Sequence, residues 1–361
     1  MNQKFDDARK SITEIDKEIA RLFEKRMDQV YEIGLVKKEM GIPVFDSERE
    51  ESLKERNSSY VKNEYRGYYK RFFEKTLEVS KEYQRKIIKG SKVAYSGVEG
   101  AFAYIAARKI FPDSELVAYS DFQAAYKAVE SGECDEAVLP IENSFAGEVG
   151  QTMDLMYSGS LFVNAVYNLK VTQNLLGVKG AKLDDVKTVL SHRQALDQCA
   201  DYIRNKNLEA KEENNTAKAA KKVAELNDKS TAAIASIETA EIYGLEVLDT
   251  NINESDDNVT RFAVFSQIQN EKAGTNYSLL TFTVGNTAGA LAKALNIIGA
   301  FEFNMNVLRS RPVKETPWEY YFYIELEGDI NSDDGKRMLN ALSVECKNIK
   351  VLGSVDRIIK L

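Results

Sequence analysis

The chain has 361 residues, a formal net charge of −7 at pH 7, and 43% hydrophobic and 29% charged residues, a composition typical of a soluble protein with two or three domains. The sequence has no apolar stretch long enough for a membrane span and no apolar signal segment near its start, and its acidic total argues against nucleic acid as the main partner. Cys134, Cys199 and Cys346 lack metal-ligand spacing, so we expect a cytoplasmic protein without a disulfide framework or zinc site.

Residues 1–90 are predicted to be helical almost throughout. Apolar residues recur there at helical spacing, at Ile12, Ile15, Ile19, Leu22, Phe23, Val30 and Ile33. Glycine and proline in residues 41–43 end the first helix, and a second begins near Asp46 or Ser47. A third helix is expected over residues 65–89. Because few apolar faces remain to pack within one chain, we expect a homodimer to complete the core.

Residues 92–266 change in character, because short apolar runs alternate there with helical stretches. The runs are KVAYSG, EAVLPIENS, KTVLSH, TAAIAS and RFAVF. Strands that alternate with helices predict an α/β domain with a largely parallel sheet. The polar stretch QNEKAGTN that follows is predicted to be a linker.

The last 85 or so residues are predicted to fold in the order β-α-β-β-α-β. YSLLTFTV, FNMNVLRS, YYFYIELEG and NIKVLGSVD are the strands, and GALAKALNIIGA and DDGKRMLNALSVEC are the helices. This is the ferredoxin-like arrangement. The fold by itself does not indicate a function.

The single histidine, His192, lies in LSHRQALDQC. One histidine excludes a metal site built from several histidine ligands. It permits a Ser-His-Asp hydrolase only if His192 is the base. The rest of the sequence must decide between these readings.

The helical segment resembles the helical chorismate mutases. The resemblance is carried by ITEIDKEIARLFEKRMDQVYEIGLVKKEMGIPVFDSEREESL, with the spacing kept on both sides of GIPVFD. It implies a site made of Arg9, Arg26, Lys37, Asp46, Arg49, Glu50, Ser80 and Gln84. Taken singly, such polar and charged residues would more often belong to solvated helix faces.

In that family the site rearranges chorismate, a dianion, to prephenate by a pericyclic step that needs positioning and charge stabilisation rather than an acid or base. The resemblance implies that Arg26 and Arg9 of a partner chain hold the two carboxylates, for which the arginine fork is suited. Lys37 and Gln84 would donate to the ether oxygen. Glu50 would orient the ring hydroxyl.

The middle segment resembles prephenate dehydratase in four blocks, YSGVEGAFAYIAARKIFP, VLPIENSFAGEVGQTMDLM, LSHRQALDQC and DTNINESDDNVTRFAVF. That family removes water and carbon dioxide from prephenate and leaves phenylpyruvate. The resemblance implies that Thr260 assists departure of the hydroxyl group. It also implies that prephenate is bound by Glu142, Asn143, Ser144, Ser191 and Gln198, with Arg261 as a weaker candidate. His192 then belongs to a family signature without acting as a base.

Several positions depart from the dehydratase pattern. Ala101 and Ala103 replace two hydroxyl residues of the first block, and Arg193 replaces a proline. Residues 144–147 read Ser-Phe-Ala-Gly instead of the usual Ser-Thr-Glu-Gly, and Gln173 stands where many members have histidine. These departures leave the fold expectation intact but affect the expected rate and substrate contacts.

The last segment resembles an ACT domain, a module that senses amino acids. The markers are Gly289-Ala290-Leu291 at a helix start and Ser310-Arg311-Pro312 after a strand, with Arg309 where the family usually has glutamate. A helix N-terminus offers free N–H groups to a carboxylate, so the resemblance implies an allosteric phenylalanine site at these residues. A dimerisation sheet without a ligand is the alternative.

The combined prediction is a multidomain enzyme: an all-α mutase bundle (1–90), a two-lobed α/β dehydratase resembling periplasmic binding proteins (92–268), and a ferredoxin-like ACT domain (276–361). The expected partners are chorismate, prephenate, L-phenylalanine and further copies of the chain, as a dimer or tetramer. Neither reaction needs a metal or cofactor, and GVEGAF lacks the GxGxxG spacing of a dinucleotide site. The alternatives are a sensor that binds ligand without turnover and a protein with mutase activity alone.

Overall fold

The computed structural model describes residues 3–42, 47–255, 257–269, 276–314, 316, 318–356 and 358–361. The helices are α1 (Gln3–Met40), α2 (Ser47–Ser58), α3 (Arg66–Lys89), α4 (Phe102–Ile110), α5 (Phe122–Glu130), α6 (Gly150–Ser158), α7 (Arg193–Gln198), α8 (Ala200–Asn205), α9 (Thr216–Leu226), α10 (Ile237–Tyr243), α11 (Ala290–Ala300) and α12 (Asp333–Glu345). The strands are β1 (Lys92–Ser96), β2 (Glu115–Tyr119), β3 (Glu136–Asn143), β4 (Gly147–Glu148), β5 (Phe162–Lys170), β6 (Asn174–Gly177), β7 (Thr188–Ser191), β8 (Glu209–Glu212), β9 (Thr231–Ala235), β10 (Glu246–Asp249), β11 (Val259–Ser266), β12 (Tyr277–Val284), β13 (Asn304–Pro312), β14 (Tyr320–Glu327), β15 (Cys346–Val355) and β16 (Ile358–Lys360). None of the helices in these ranges is long and apolar enough to cross a membrane.

The chain divides into two compact units, Met1–Ser91 and Lys92–Leu361. In the first unit the three predicted helices are confirmed. Val30 on α1 and Leu77 on α3 are buried, and Gly34 lets Ile87 approach α1 closely. The first half of α1 instead exposes its apolar stripe, at Phe5, Ile12, Ile15, Ile19, Leu22 and Phe23. An apolar stripe without cover in one chain is the expected signature of a face that another molecule buries.

The second unit contains two sheets that form two lobes, and a third sheet. The first lobe has the strand order β16-β5-β11-β3-β1-β2, with β4 paired to β3. The second lobe has the order β10-β6-β9-β7-β8. The chain crosses from the first lobe to the second after β5 and returns before β11.

The prediction of a largely parallel sheet is wrong for both lobes. β11 lies between β3 and β5 and is antiparallel to each, and β6 is antiparallel to β9 and β10. The returning strand enters the first lobe in the opposite direction to its neighbours. Apolar runs indicate where strands lie but carry no information on direction, which is why the sequence did not reveal this.

The third sheet has the order β13-β14-β12-β15, the ferredoxin-like arrangement, with α11 and α12 on one face. On β14, Phe322, Ile324 and Leu326 face these helices, while Tyr323 joins a core that includes Phe265 of the first lobe. This alternation follows the period of two residues in a strand. The third sheet and the first lobe therefore share one hydrophobic core.

Two further features tie the end of the chain to the first lobe. β16, which was not predicted, adds to the first-lobe sheet beside β5 in parallel. Lys350 on β15 donates hydrogen bonds to the carbonyl oxygens of Met156 and Gly159 at the end of α6. Most of the predicted linker, residues 270–275, lies outside the described residues.

Gly353 on β15 lies directly against the backbone carbonyl of Val163 on β5, and a Cβ at this position would overlap that oxygen. Gly353→Ala is therefore expected to lower the free energy of unfolding by about 1–3 kcal/mol, the usual range for overpacking. Chemical denaturation measures this. Gly299→Ala, in α11 with open space around the glycine, is the matched control and should not destabilise the protein. Equal midpoints for both variants would contradict the close approach.

Candidate active sites

Four of the predicted mutase residues lie on facing sides of α1 and α3, Arg26 and Lys37 on α1 and Ser80 and Gln84 on α3. Arg26 donates from Nη1 to Oγ of Ser80 at 2.5 Å, and Ser80 donates to the carbonyl oxygen of Thr76 at 2.6 Å. Lys37 lies eleven residues after Arg26, which places both on the α1 face that includes the buried Val30. Burial lowers the pKa of Arg26, an effect that a ligand carboxylate would oppose.

Gln84 lies one turn after Ser80 on α3 and is also buried. Its Oε1 accepts no hydrogen bond from the described part of the chain. A buried polar atom without a partner is costly, so this side chain retains hydrogen-bonding capacity for a bound molecule.

On α2, Glu50 is partly buried and pairs with Lys81 of α3 at 3.0 Å. Lys81 was not predicted as a site residue, although its position next to Ser80 in the sequence could have indicated that it lies near the site. Arg49 lies beside Glu50, and Asp46 lies outside the described residues.

Arg9 does not join this cluster within one chain. It lies on the same helix as Arg26, seventeen residues earlier, which corresponds to about 25 Å along the axis. Its guanidinium stacks over the Phe5 ring at 4.2 Å. An Arg9 that serves the same kind of site must therefore serve the site of another copy.

The second candidate site is a cavity of about 710 Å³ between the two lobes. Its lining includes Ser96, Gly97, Ala101, Ala103, Asn143, Gly147, Glu148, Gln173, His192, Gln194, Gln198, Asn215, Lys218, Asn258, Thr260 and Phe262. The β3–β4 hairpin and β11 supply one wall, and the first turns of α7 and α9 supply the opposite wall. The departures at Ala101 and Ala103 therefore put methyl groups on the cavity wall.

A chain of amides and one hydroxyl crosses the cavity from lobe to lobe. Asn143 donates from Nδ2 to Oδ1 of Asn258 and to Oγ1 of Thr260, each at 2.9 Å. Asn258 in turn donates to Oε1 of Gln198 in the second lobe at 2.9 Å. Asn143 and Thr260 are direct partners in the β3–β11 ladder, which brings two distant segments together.

Three of the predicted dehydratase residues, Asn143, Gln198 and Thr260, line this cavity, and the other four do not. Glu142 and Arg261 point to the opposite face of the sheet, where they pair at 3.0 Å. The reason is geometric, because successive strand residues alternate between faces. The expectation that Glu142 and Arg261 contact prephenate is therefore corrected.

Ser144 and Ser191 are also turned away from the cavity and bond to backbone. Ser144 donates to the carbonyl oxygen of Asp257 and accepts from the Val259 N–H. Ser191 is fully buried and donates to the carbonyl oxygen of Ile234 at 2.6 Å. Both hydroxyls hold the strands that carry the cavity wall, so their expected role as substrate contacts is also corrected.

His192 lines the cavity as the N-cap of α7, where Nδ1 accepts a hydrogen bond from the Gln194 N–H at 3.3 Å. One ring nitrogen is thus used to cap a helix, in keeping with the reading that its place in the signature is not that of a base.

Residues that the sequence reasoning missed also line the cavity. Gln194 donates to Oδ1 of Asn143 at 3.3 Å and lies four residues before Gln198 on one helix. Asn258 lies just before β11 and precedes Thr260 by two residues. These two spacings were available signals. Gln173 is 2% exposed, and its Oε1 accepts no hydrogen bond from the described residues.

The residues predicted to bind phenylalanine lie at one end of the third sheet. Gly289 caps α11 with φ of +79°, followed by Ala290 and Leu291, and residues 309–312 end β13. Val284 at the end of β12 and Pro312 at the end of β13 lie on either side of β14, which places these two strand ends about 10 Å apart. Arg309 and Arg311 are already engaged, with carboxylates of the first lobe.

Family models match two parts of the chain. The chorismate mutase type II model covers residues 8–85, and the prephenate dehydratase model covers residues 93–270. A bifunctional chorismate mutase/prephenate dehydratase from Buchnera aphidicola subsp. Acyrthosiphon pisum is 31% identical, over 96% of this chain and 94% of the relative. The Aquifex aeolicus protein of the same description is 30% identical, over 97% of both chains.

A solved structure of prephenate dehydratase from Arthrobacter aurescens, in complex with L-Phe, is similar with a TM-score of 0.68 and 26% identity, over 74% of this chain and 90% of that one. The helical cluster and the cavity between the lobes lie in the two segments that these matches cover. The chain therefore belongs to the bifunctional chorismate mutase/prephenate dehydratase family.

Proposed function

We propose that this protein converts chorismate to prephenate in its helical unit and prephenate to phenylpyruvate in the cavity between its lobes. L-phenylalanine bound to residues 276–361, as an ACT domain, slows the second reaction. The observation that supports this proposal most strongly is the hydrogen-bonded series Gln198–Asn258–Asn143–Thr260. In a protein of this family, it brings hydrogen-bonding groups from both lobes to one cavity.

In the helical unit, Arg26 binds one carboxylate of chorismate, with Ser80 holding its guanidinium in place. Gln84 and Lys37 donate to the ether oxygen, where negative charge develops in the transition state. Glu50, steadied by Lys81, accepts from the ring hydroxyl. Arg49 completes the wall from the second helix, and Asp46 is proposed to contact the substrate as well.

The second carboxylate of chorismate is bound by Arg9 of another copy. Arg9 lies too far along α1 to reach the Arg26 cluster of its own chain, and the apolar stripe around it is exposed. A homodimer that buries this stripe explains both observations. Activity of the mutase site then requires the dimer.

In the cavity, Thr260 assists loss of the hydroxyl group. Because Oγ1 of Thr260 already accepts a hydrogen bond from Asn143, its own proton is directed elsewhere and is available to the leaving oxygen. As the carbon–carbon bond to the ring carboxylate breaks, its electron pair enters the ring and expels the hydroxyl group. Carbon dioxide leaves, and the ring becomes aromatic.

The remaining cavity groups orient prephenate. Gln198 and Asn258 donate or accept along the amide chain. The oxygen of Gln173, which accepts no hydrogen bond within the described part of the chain, accepts from the substrate hydroxyl. Lys218, in the first turn of α9, provides a positive charge for the pyruvyl carboxylate. The lobes close over the substrate about the segments that follow β5 and precede β11, in the manner of periplasmic binding proteins.

Inhibition by phenylalanine follows from an ACT domain fused to the first lobe through a shared core. Backbone N–H groups at the start of α11, where that of Ala290 also donates to the carbonyl oxygen of Thr287, bind the ligand carboxylate, with Gly289, Ala290 and Leu291 around it and Ser310 and Pro312 nearby. The ligand must favour one state of the enzyme by about 1–3 kcal/mol for useful control.

The test of this regulation is phenylpyruvate formation from prephenate with and without L-phenylalanine. We expect L-phenylalanine to slow the reaction about tenfold, consistent with a coupling of that size, and L-leucine at the same concentration to have little effect. The rate of prephenate formation from chorismate is followed in parallel. An unchanged dehydratase rate at saturating L-phenylalanine would leave the third sheet as a structural element alone.

A further inference from the structure

We infer that Arg309 and Arg311 of the third sheet are positioning residues of the dehydratase, because they hold the β3–β4 hairpin that forms one wall of the cavity. This inference rests on the dehydratase function proposed for that cavity. It assigns the two arginines a role other than binding phenylalanine.

The hairpin has a built-in electrostatic conflict. Glu142 on β3 and Glu148 on β4 are direct partners across the two-stranded ladder. Like charges at such positions repel and destabilise the pairing. The residues between them include Asn143, Ala146 and Gly147, which line the cavity together with Glu148.

Arg309 lies between these two carboxylates. Its Nη2 donates to Oε1 of Glu142 at 2.9 Å, and its Nε lies 3.8 Å from Oε2 of Glu148. Burial of Glu142 disfavours its charge, yet hydrogen bonds from Arg261 and Arg309 outweigh this and keep the pKa of Glu142 below its ordinary value. One guanidinium thus neutralises both sides of the hairpin.

Arg311 holds the same hairpin from a second point. Its Nη1 donates to Oε1 of Glu148 at 2.9 Å, and its Nε donates to Oδ1 of Asp154 on α6 at 2.9 Å. A side chain at Gly150 would overlap the guanidinium. Glu148, which belongs to the cavity lining, is therefore held through its carboxylate by the third sheet.

The residues that the arginines hold are next in sequence to Asn143 and Thr260, the residues proposed to act on prephenate. Glu142 is the neighbour of Asn143, and Arg261 is the neighbour of Thr260. Arg261 bridges Glu142 at 3.0 Å and Glu325 of β14 at 2.8 Å. A shift of the Glu142–Arg261 pair therefore moves the Asn143–Thr260 pair, because a strand backbone carries adjacent residues together.

The experiment is a double-mutant cycle. One substitution removes Arg309, and the other removes the repulsion between Glu142 and Glu148. Arg309→Met is expected to lower kcat/KM for prephenate about tenfold or more, since small displacements of positioned groups are costly, with the mutase rate unchanged. In a Glu148→Gln background the same substitution should change kcat/KM less than about twofold, because the like-charge pair is gone. Arg337→Met, which removes an exposed arginine of α12 paired with Asp334, is the matched control and should match wild type.

Hydrogen exchange at the backbone amides of residues 143–148 provides a second readout that needs no turnover. Exchange should rise in Arg309→Met and return toward the wild-type rate in Arg309→Met/Glu148→Gln. Wild-type kcat/KM in Arg309→Met, or the same loss in both backgrounds, would overturn the inference. A wild-type protein that forms no phenylpyruvate would instead count against the proposed dehydratase function, and the exchange data would still decide the role of Arg309.

Discussion

Arg26→Ala is expected to lower prephenate formation from chorismate about 10²–10³-fold while leaving the dehydration of added prephenate unchanged. The reason is that Arg26 is the partly buried cation of the helical cluster, held by Ser80, and a preorganised donor of this kind contributes about 3–4 kcal/mol to the transition state. Loss of chorismate is followed by its absorbance, and prephenate is assayed separately. Loss of both activities would mean that the substitution disrupts folding or assembly.

Arg9→Ala provides the control for the shared site. By itself, Arg9→Ala should lose prephenate formation from chorismate in the same way as Arg26→Ala. If Arg9 serves the site of a partner, mixing and reassociating the two variant chains produces dimers with one intact site. Recovery of activity on mixing is expected. Failure to recover, with mixed dimers formed, would show that Arg9 does not act in the site of a partner, and full activity of Arg9→Ala alone would place Arg9 outside the mutase site.

Thr260→Ala is expected to lower phenylpyruvate formation by about 10²–10³-fold without affecting the mutase, because the departing hydroxyl group loses its donor. Thr260→Ser keeps the hydroxyl that accepts from Asn143 and should retain most of the activity. Single-turnover measurements with prephenate separate chemistry from product release. An unchanged rate in Thr260→Ala would show that another group assists the departure.

Much of the fold could be predicted from the sequence, because local sequence patterns determine local structure. Helical spacing located α1 and α3, and apolar runs located β1, β3 and β11 of the first lobe and β7 and β9 of the second, but not the remaining lobe strands. Strand direction and the insertion of β11 between β3 and β5 depend on contacts between distant segments, for which a single sequence holds no local signal. The mixed sheets were therefore missed.

The candidate site was also predicted only in part from the sequence. Asn143 and Thr260 line the cavity, whereas Glu142 and Arg261 next to them face the other way, as strand alternation alone would have indicated. The pairing of Arg309 with Glu142 joins residues 167 positions apart, and its significance emerges only once the third sheet is seen to pack on the first lobe. A motif marks a region of a site, but the backbone decides which of its side chains face the ligand.

The most direct test of the central proposal, two sequential reactions in one chain, is a time course with chorismate as the sole substrate. Prephenate and phenylpyruvate are separated and quantified at each time point with purified wild-type protein. We expect prephenate to appear first and then to be replaced by phenylpyruvate. Prephenate that accumulates without further change would contradict the dehydratase assignment and point to Ala101 and Ala103 on the cavity wall as the first positions to restore.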